Sequence, residues 1–202
     1  MHLINSYGIN SKNLKAVLNS DDEELLKKIK KTKSFNLFKV SYKAMSPNGL
    51  EILEDDFKKE ISKNSPYFIK SNFAFGGALL CICHDLSSKL PYTQVVETGL
   101  IDYYLSVDFE IEKLEGNGSI LLADENIPYN VIGEFPVIQL VAKQKLLELD
   151  ERMKNISIRK KEIKILLNEN ENKSRAYQQI MGIKKNFRYC LENNLDMLNF
   201  CH

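Results

Sequence analysis

Both ends of this chain are short apolar stretches suited to extended backbone, and most of the periodic sequence between them repeats at helical spacing. Leu3 to Ile9 and Leu195 to Cys201 read as strands. A chain patterned in this way must form a small sheet and cover it with amphipathic helices. The expected class is therefore α+β and helix-dominated, with a small sheet that includes the N- and C-terminal strands. The 202 residues suit a single globular domain over 1–202, with a helical hairpin as an option within 138–193. A chain of that length buries roughly 70% of the surface its unfolded form exposes, so folding requires no disulfide or metal.

The helices carry local signals. Asn10 or Ser11 can cap a helix whose apolar face is Leu14, Val17 and Leu18. Ser20-Asp21-Asp22-Glu23 has the form of a capping box, and Lys27, Lys28, Lys30 and Lys31 follow in the last turn, so both helix ends complement the dipole. Residues 34–50 do not choose between strand and helix, although Ser46 to Gly49 signals a turn. A further amphipathic helix is expected from Leu50 to Ser62. Phe73 to Leu90 is the most apolar segment and reads as the central buried helix, closed by Pro91. A short helix is expected over Val96 to Leu105, and 106–136 is expected to be mostly non-helical. From Val137 the pattern is helical again. Leu146, Leu149, Met153, Ile156, Ile163 and Leu167 lie on near-heptad spacing with Lys160 at a missing position. One long helix, or two broken near Asn155 to Ser157, fits. Asn168 to Lys173 reads as a polar loop, Ser174 as the cap of a last helix, and Asn193-Asn194 as its stop.

The composition excludes whole classes. Lys and Arg total 28 against 27 Asp and Glu, for a formal charge of +1, which argues against a dedicated nucleic-acid binder with a strong basic field. No apolar run approaches the roughly 20 residues of a spanning helix, so no membrane association is expected. The first residues carry neither a basic n-region nor a long apolar h-region. The expected compartment is cytoplasmic, with reduced thiols. There is no P-loop, no G-x-G-x-x-G after a strand, no G-x-S-x-G elbow, no H-E-x-x-H and no C-x-x-C. No cofactor and no metal are expected.

The opening Ser6-Tyr7-Gly8-Ile9 with its following helix, and the closing Tyr177 to Leu191 helix followed by Asn193-Asn194-Leu195-Asp196-Met197-Leu198-Asn199-Phe200, resemble small uncharacterised bacterial domains of the YfbM-like type and a neighbouring domain of unknown function. Ala78 to Cys81 and the stretch from Ile127-Pro128 to Phe135-Pro136 look like parts of the latter. The resemblance covers about half the chain. It implies an α+β domain whose first and last strands could pair, and it supplies no catalytic residues. Some domains of this kind look like immunity proteins encoded beside bacterial toxins.

Two places carry candidate chemistry. Cys81-Ile82-Cys83-His84-Asp85 is the sharpest local cluster. On a helix Cys81 and His84 share a face while Cys83 points elsewhere. A thiolate beside an imidazole is a nucleophile pair, and two ligands on one face could begin a zinc site completed by Cys201 or His202. The simpler account is that these cysteines are small core hydrophobes. For binding, Asp124, Glu125, Tyr129 and Glu134 lie in a proline-framed loop that also carries Ile127, Val131 and Ile132. A stiffened loop of this kind loses little entropy on docking, although a connection that only packs on the core is the plainer reading. The lysine-rich near-heptad helix could likewise bind a partner, with the flank of a hairpin as its plainer reading. The basic cluster Lys27 to Lys33 could touch phosphate, and the acidic pairs at Asp21 to Glu24 and Asp55-Asp56 could bind metal. A solvated helix face or helix end explains each more simply.

The expected function is a non-enzymatic cytoplasmic protein-binding domain, most concretely an immunity-type protein that neutralises a toxin by covering its active site. The alternatives are a small thiol- or zinc-dependent enzyme built on Cys81, Cys83 and His84, and a nucleic-acid-associated regulator.

Overall fold

The structure is a computed structural model that describes residues 3–17, 20–33, 35–37, 39–40, 81–111 and 137–201. Along the chain it forms β1 (Leu3–Ile9), α1 (Ser11–Val17), α2 (Glu23–Ile29), β2 (Val96–Glu97), α3 (Thr98–Phe109), β3 (Val137–Val141), α4 (Lys143–Arg152), α5 (Lys160–Glu169), α6 (Glu171–Glu192) and β4 (Asp196–Cys201). The protein is helix-dominated, with one small four-stranded antiparallel sheet in the order β2-β1-β4-β3. The strands nearest the two ends are therefore neighbours in the middle of the sheet. Ser6 Oγ donates to Asn199 Oδ1 at 2.6 Å, joining a buried asparagine of β4 to β1. Tyr7 packs edge-on against Phe200 at 5.8 Å. On the other side of β1, Leu3 faces Glu97 and Ile4 faces Val96.

The chain sorts into two compact units. The first contains Met1–Gly8, Lys89–Asn126 and Gln139–His202, and the second contains Ile9–Ser88 and Ile127–Ile138. In the second unit the described helical residues are those of α1 and α2, those at 33, 35–37 and 39–40, and a stretch over 81–86. Its buried apolar residues include Leu14, Leu26, Ile29, Phe35, Cys81, Ile82 and Cys83. Asn10 caps α1 by accepting from the Lys12 and Asn13 amides. The capping box expected at Ser20 does not form. Asp22 is the N-cap of α2 and accepts from the Leu25 amide at 2.9 Å, while the Ser20 hydroxyl accepts from the Asp22 amide. A carboxylate two residues closer to the helix takes the position because it also stabilises the positive helix end.

In the first unit, α6 is the organising helix. It packs against α3, α4, α5, β2 and β4. Its apolar stripe of Ala176, Ile180, Ile183, Phe187 and Cys190 is buried in the core with Ile101, Leu105, Leu146 and Leu149. A second, polar stripe at Arg175, Gln179, Gly182 and Asn186 faces the segment 92–97. Asn186 accepts from the Tyr92 amide and donates to the Tyr92 carbonyl, both at 2.9 Å. Gln179 accepts from the Glu97 amide, and Arg175 pairs with the Glu97 carboxylate at 2.7 Å. The asparagine thus treats the main chain of Tyr92 as a strand neighbour would. Gly182 allows this approach, since a Cβ there would lie 2.4 Å from the Tyr92 ring.

Lys184 occupies a position on the buried side of α6 and is only 5% exposed. Its ammonium donates to the carbonyls of Met153, Lys154 and Ile156 at 2.7, 2.9 and 2.7 Å. These carbonyls belong to the turn that ends α4, where helix geometry leaves acceptors without partners. Burial and the nearby Arg188 guanidinium lower the Lys184 pKa, while Asp150 opposes the shift.

Several expectations are corrected. The helix expected through Leu90 ends at Leu86, and Ser87 folds back to donate to the His84 carbonyl. Residues 73–80 and the expected helix over 50–62 lie outside the described residues. Val96 and Glu97 are a strand, and the following helix runs through Phe109 into the stretch expected to be non-helical. Val137 to Val141 is a strand, because V-I-Q-L-V suits a pleated surface better than the first turn of a helix. The later pattern forms two helices, separated over 153–159 near the expected break. The polar loop at 168–173 shrinks to Asn170 alone, which caps α6 by accepting from the Lys173 amide. Ser174 is instead buried and donates to the Ile163 carbonyl at 2.8 Å. Leu167, expected on the buried line, is 58% exposed, because the break resets the helical register.

Two stability measurements test these packing arguments. Lys184→Met should lower unfolding free energy by about 3 kcal/mol in urea titrations, since charge-assisted bonds are lost and their carbonyls stay buried. Exposed Lys185→Met should change it by less than about 0.5 kcal/mol. Gly182→Ala ought to cost about 2 kcal/mol by overpacking, although alanine in a helix interior normally gains about 1 kcal/mol over glycine. In a Tyr92→Ala background the same substitution should become stabilising.

Candidate functional site

The cysteine–histidine cluster sits in the helical stretch 81–86, where burial decides what it can do. Cys81 and Cys83 are both fully buried, whereas His84 reaches the surface. The i, i+3 spacing brings Cys81 and His84 to neighbouring positions, but the thiol is buried while the imidazole reaches solvent. Desolvation of its buried flank lowers the His84 pKa below the ordinary 6.5. Asp85 receives a hydrogen bond from Lys28 at 2.8 Å. Cys190, in α6, is also buried, and its thiol is pushed up to about 12 by burial and by Asp196. A thiol held in this way is a core side chain rather than a nucleophile. Among the described residues, no group of three or more His, Cys, Asp and Glu is placed to hold a metal ion. No described helix is long and apolar enough to cross a membrane. The loop residues Asp124, Glu125, Tyr129 and Glu134 lie outside the described residues.

Within the lysine cluster of α2, Lys27 pairs with Glu24 at 2.7 Å and Lys28 with Asp85 at 2.8 Å. These pairs neutralise part of the charge that could have met phosphate. A second cation is held on the surface of the first unit. Lys173 donates to Asp108 at 3.0 Å and lies 5.4 Å from the Tyr177 ring centroid and 5.8 Å from that of Tyr104. Tyr177 donates to the other oxygen of Asp108 at 3.0 Å. The bond to Asp108 raises the Lys173 pKa, and desolvation with the same carboxylate raises that of Tyr177. Lys173, Asp108 and Tyr177 satisfy one another, so this cluster fastens α3 to α6.

The lysine-rich segment behaves differently. None of the residues of α5 is fully buried. Ile163 and Leu166 face inward and are half-buried, with Ile163 packed against the core. Around the outward side, helical geometry orders the residues as Leu167, Lys160, Lys164, Asn168, Lys161 and Ile165. All six are exposed, with Ile165 at 48% and Leu167 at 58%. Three lysines therefore lie between two aliphatic side chains. Among the described residues none of the three has an ion-pair or hydrogen-bond partner. The acid nearest to them in sequence is already engaged. Glu162 accepts from the Arg159 amide at 2.9 Å and from its guanidinium at 2.8 and 2.6 Å, and these bonds lower its pKa.

Lys160 and Lys161 stand in the first turn of α5, next to the positive end of the helix dipole. Acidic residues are stabilising there and basic ones are not. The helix is nonetheless held firmly from its inner side. Lys184 fixes the turn before it through three carbonyls, and Ser174 fixes Ile163. In the heptad pattern Lys160 stands at a gap. The available signal was two adjacent lysines where a helix start favours carboxylates.

Comparison with family models, with curated proteins and with solved structures finds no match for this chain.

Three measurements follow from these placements. In native protein, Cys81, Cys83 and Cys190 should resist iodoacetamide and label only on unfolding, as read by peptide mass mapping. Rapid native labelling of Cys83 would instead favour the thiol chemistry. The His84 imidazole should titrate below 6.5 by NMR. Because its folded pKa is depressed, the stability it contributes is present above its unfolded pKa and lost as pH falls through the folded value. Lys161→Glu should stabilise the fold by about 0.5 kcal/mol through the helix dipole.

Proposed function

We propose that this chain is a non-enzymatic protein-binding domain that acts by covering a surface of its partner. In its most concrete form it is a cytoplasmic immunity-type protein that occludes a toxin's active site. The observation that carries the reading is the outward face of α5. It exposes Ile165 and Leu167 beside three unpartnered lysines on a helix with no fully buried residue. Two exposed aliphatics flanking a basic stripe, on an element fixed from behind, suit docking better than they suit solvent. Pre-anchoring by Lys184 and Ser174 reduces the ordering entropy that association would otherwise cost. Occlusion would require an interface of about 800 Å² on this side, so neighbouring elements would take part.

The thiol- or zinc-enzyme alternative requires access to Cys81 or Cys83, and both are buried. The nucleic-acid alternative requires basic residues gathered on one face, whereas Lys27, Lys28, Lys145, Lys154, Lys173 and Arg175 are each paired with acids.

A photo-cross-linker at Ile165, with a control at Glu192, should trap one discrete partner in the native host. The purified partner should then lose activity when mixed with this protein. A partner that binds with its activity intact would remove the occlusion mechanism. Absence of any cross-linked species from Ile165 would remove α5 as the contact.

A further inference from the structure

We infer that the α5 face receives an acidic segment of a partner protein that carries aliphatic anchors at its edges. The inference rests on the protein-binding reading above and names the chemistry of its partner. Charge complementarity supplies the argument. Lys160, Lys161 and Lys164 are exposed, and no acid among the described residues engages them. The one carboxylate within their span, Glu162, is taken by Arg159 through three hydrogen bonds. Glu169 is the other acid of α5 and stands in its last turn. The helix dipole adds further positive potential at the end where Lys160 and Lys161 sit. A carboxylate-rich surface would relieve this local repulsion on docking.

The order of side chains separates a protein partner from the other anionic surfaces. A helix that lies on a membrane buries an apolar centre and lets its lysines reach outward from the edges. Here the lysines occupy the centre, and Leu167 and Ile165 mark the edges. Inserting either aliphatic into acyl chains would drag the ammonium groups with it. A nucleic acid could engage the three lysines, but its phosphate backbone offers nothing to Ile165 and Leu167. The face also lacks the aromatic groups on which bases stack. A protein segment with Asp or Glu in the middle and Leu, Ile or Val to either side matches both features together.

The probe is a fluorescein-labelled amphipathic peptide of 16 residues with a Glu-rich centre and Leu at its edges. It is titrated against the full chain alongside a Lys-for-Glu counterpart, phosphatidylglycerol vesicles and a single-stranded oligonucleotide. The acidic peptide should bind saturably and move the backbone amide resonances of residues 159–169. Lys161→Glu with Lys164→Glu should weaken it at least about tenfold, which corresponds to about 1.4 kcal/mol. Ile165→Ser should weaken it separately at unchanged salt dependence. Circular dichroism verifies that each variant is folded. Absence of saturable binding, resonance shifts outside α5, equal binding of the Lys peptide, or tighter binding of vesicles or oligonucleotide would each overturn the inference. The proposed function fails by a different result, namely a trapped partner whose activity is unaffected.

Discussion

The Lys184 ammonium determines how the helical part of the first unit is assembled. Removing an ammonium from water costs several kcal/mol unless acceptors replace the lost hydration. Three main-chain carbonyls do so here, at 2.7 to 2.9 Å. They come from the turn after α4, so one side chain of α6 determines where α4 stops and in which direction the chain leaves. The orientation of α5 follows from that direction. The contact also explains how a charge can sit on the buried side of α6 without disrupting the core. The ammonium acts as a tethered cation that satisfies a helix C-terminus, a task water or a C-cap residue performs elsewhere.

The same helix uses two chemistries on two faces. The stripe from Ala176 to Cys190 contributes through burial of apolar surface, without directional preference. The stripe from Arg175 to Asn186 contributes through hydrogen bonds to the main chain of 92–97, and therefore specifies register. An apolar stripe alone would let the segment slide along α6. Asn186 and Gln179 each recognise one residue, and the Tyr92 ring over Gly182 prevents displacement along the axis. This division of labour gives the core its position as well as its stability.

What was legible in the sequence was whatever rested on local signals. The two central strands, the Asn10 cap, the break between α4 and α5 and the stop at Asn193-Asn194 all appear where the residues indicated. What failed depended on tertiary partners. Val137 to Val141 belongs to the sheet because a neighbouring strand is there to pair with it. Ser174 resembles a cap, yet its hydroxyl is claimed by a carbonyl of another helix. Lys184 breaks an apolar stripe between Ile180 and Phe187, and that irregularity was the one hint of a buried cation. The candidate site was legible in part. The lysine-rich helix stands out in the sequence, but near-heptad spacing places Leu167 inward, and that spacing does not survive the break that resets the register.

The neighbouring positions of β1 and β4 also bear on how this protein is made. Ser6 and Asn199 are separated by 193 residues of sequence yet bonded directly. A chain emerging from the ribosome presents β1 long before β4 exists. During that interval one edge of β1 has no native neighbour and is open to any strand that passes. Helices α3, α4 and α5 can form as they appear but meet their main packing partner only when α6 is made, and the sheet closes after that. Synthesis therefore passes through a stage of formed helices and an unfinished sheet, and it is the stage at which edge-to-edge aggregation competes with folding.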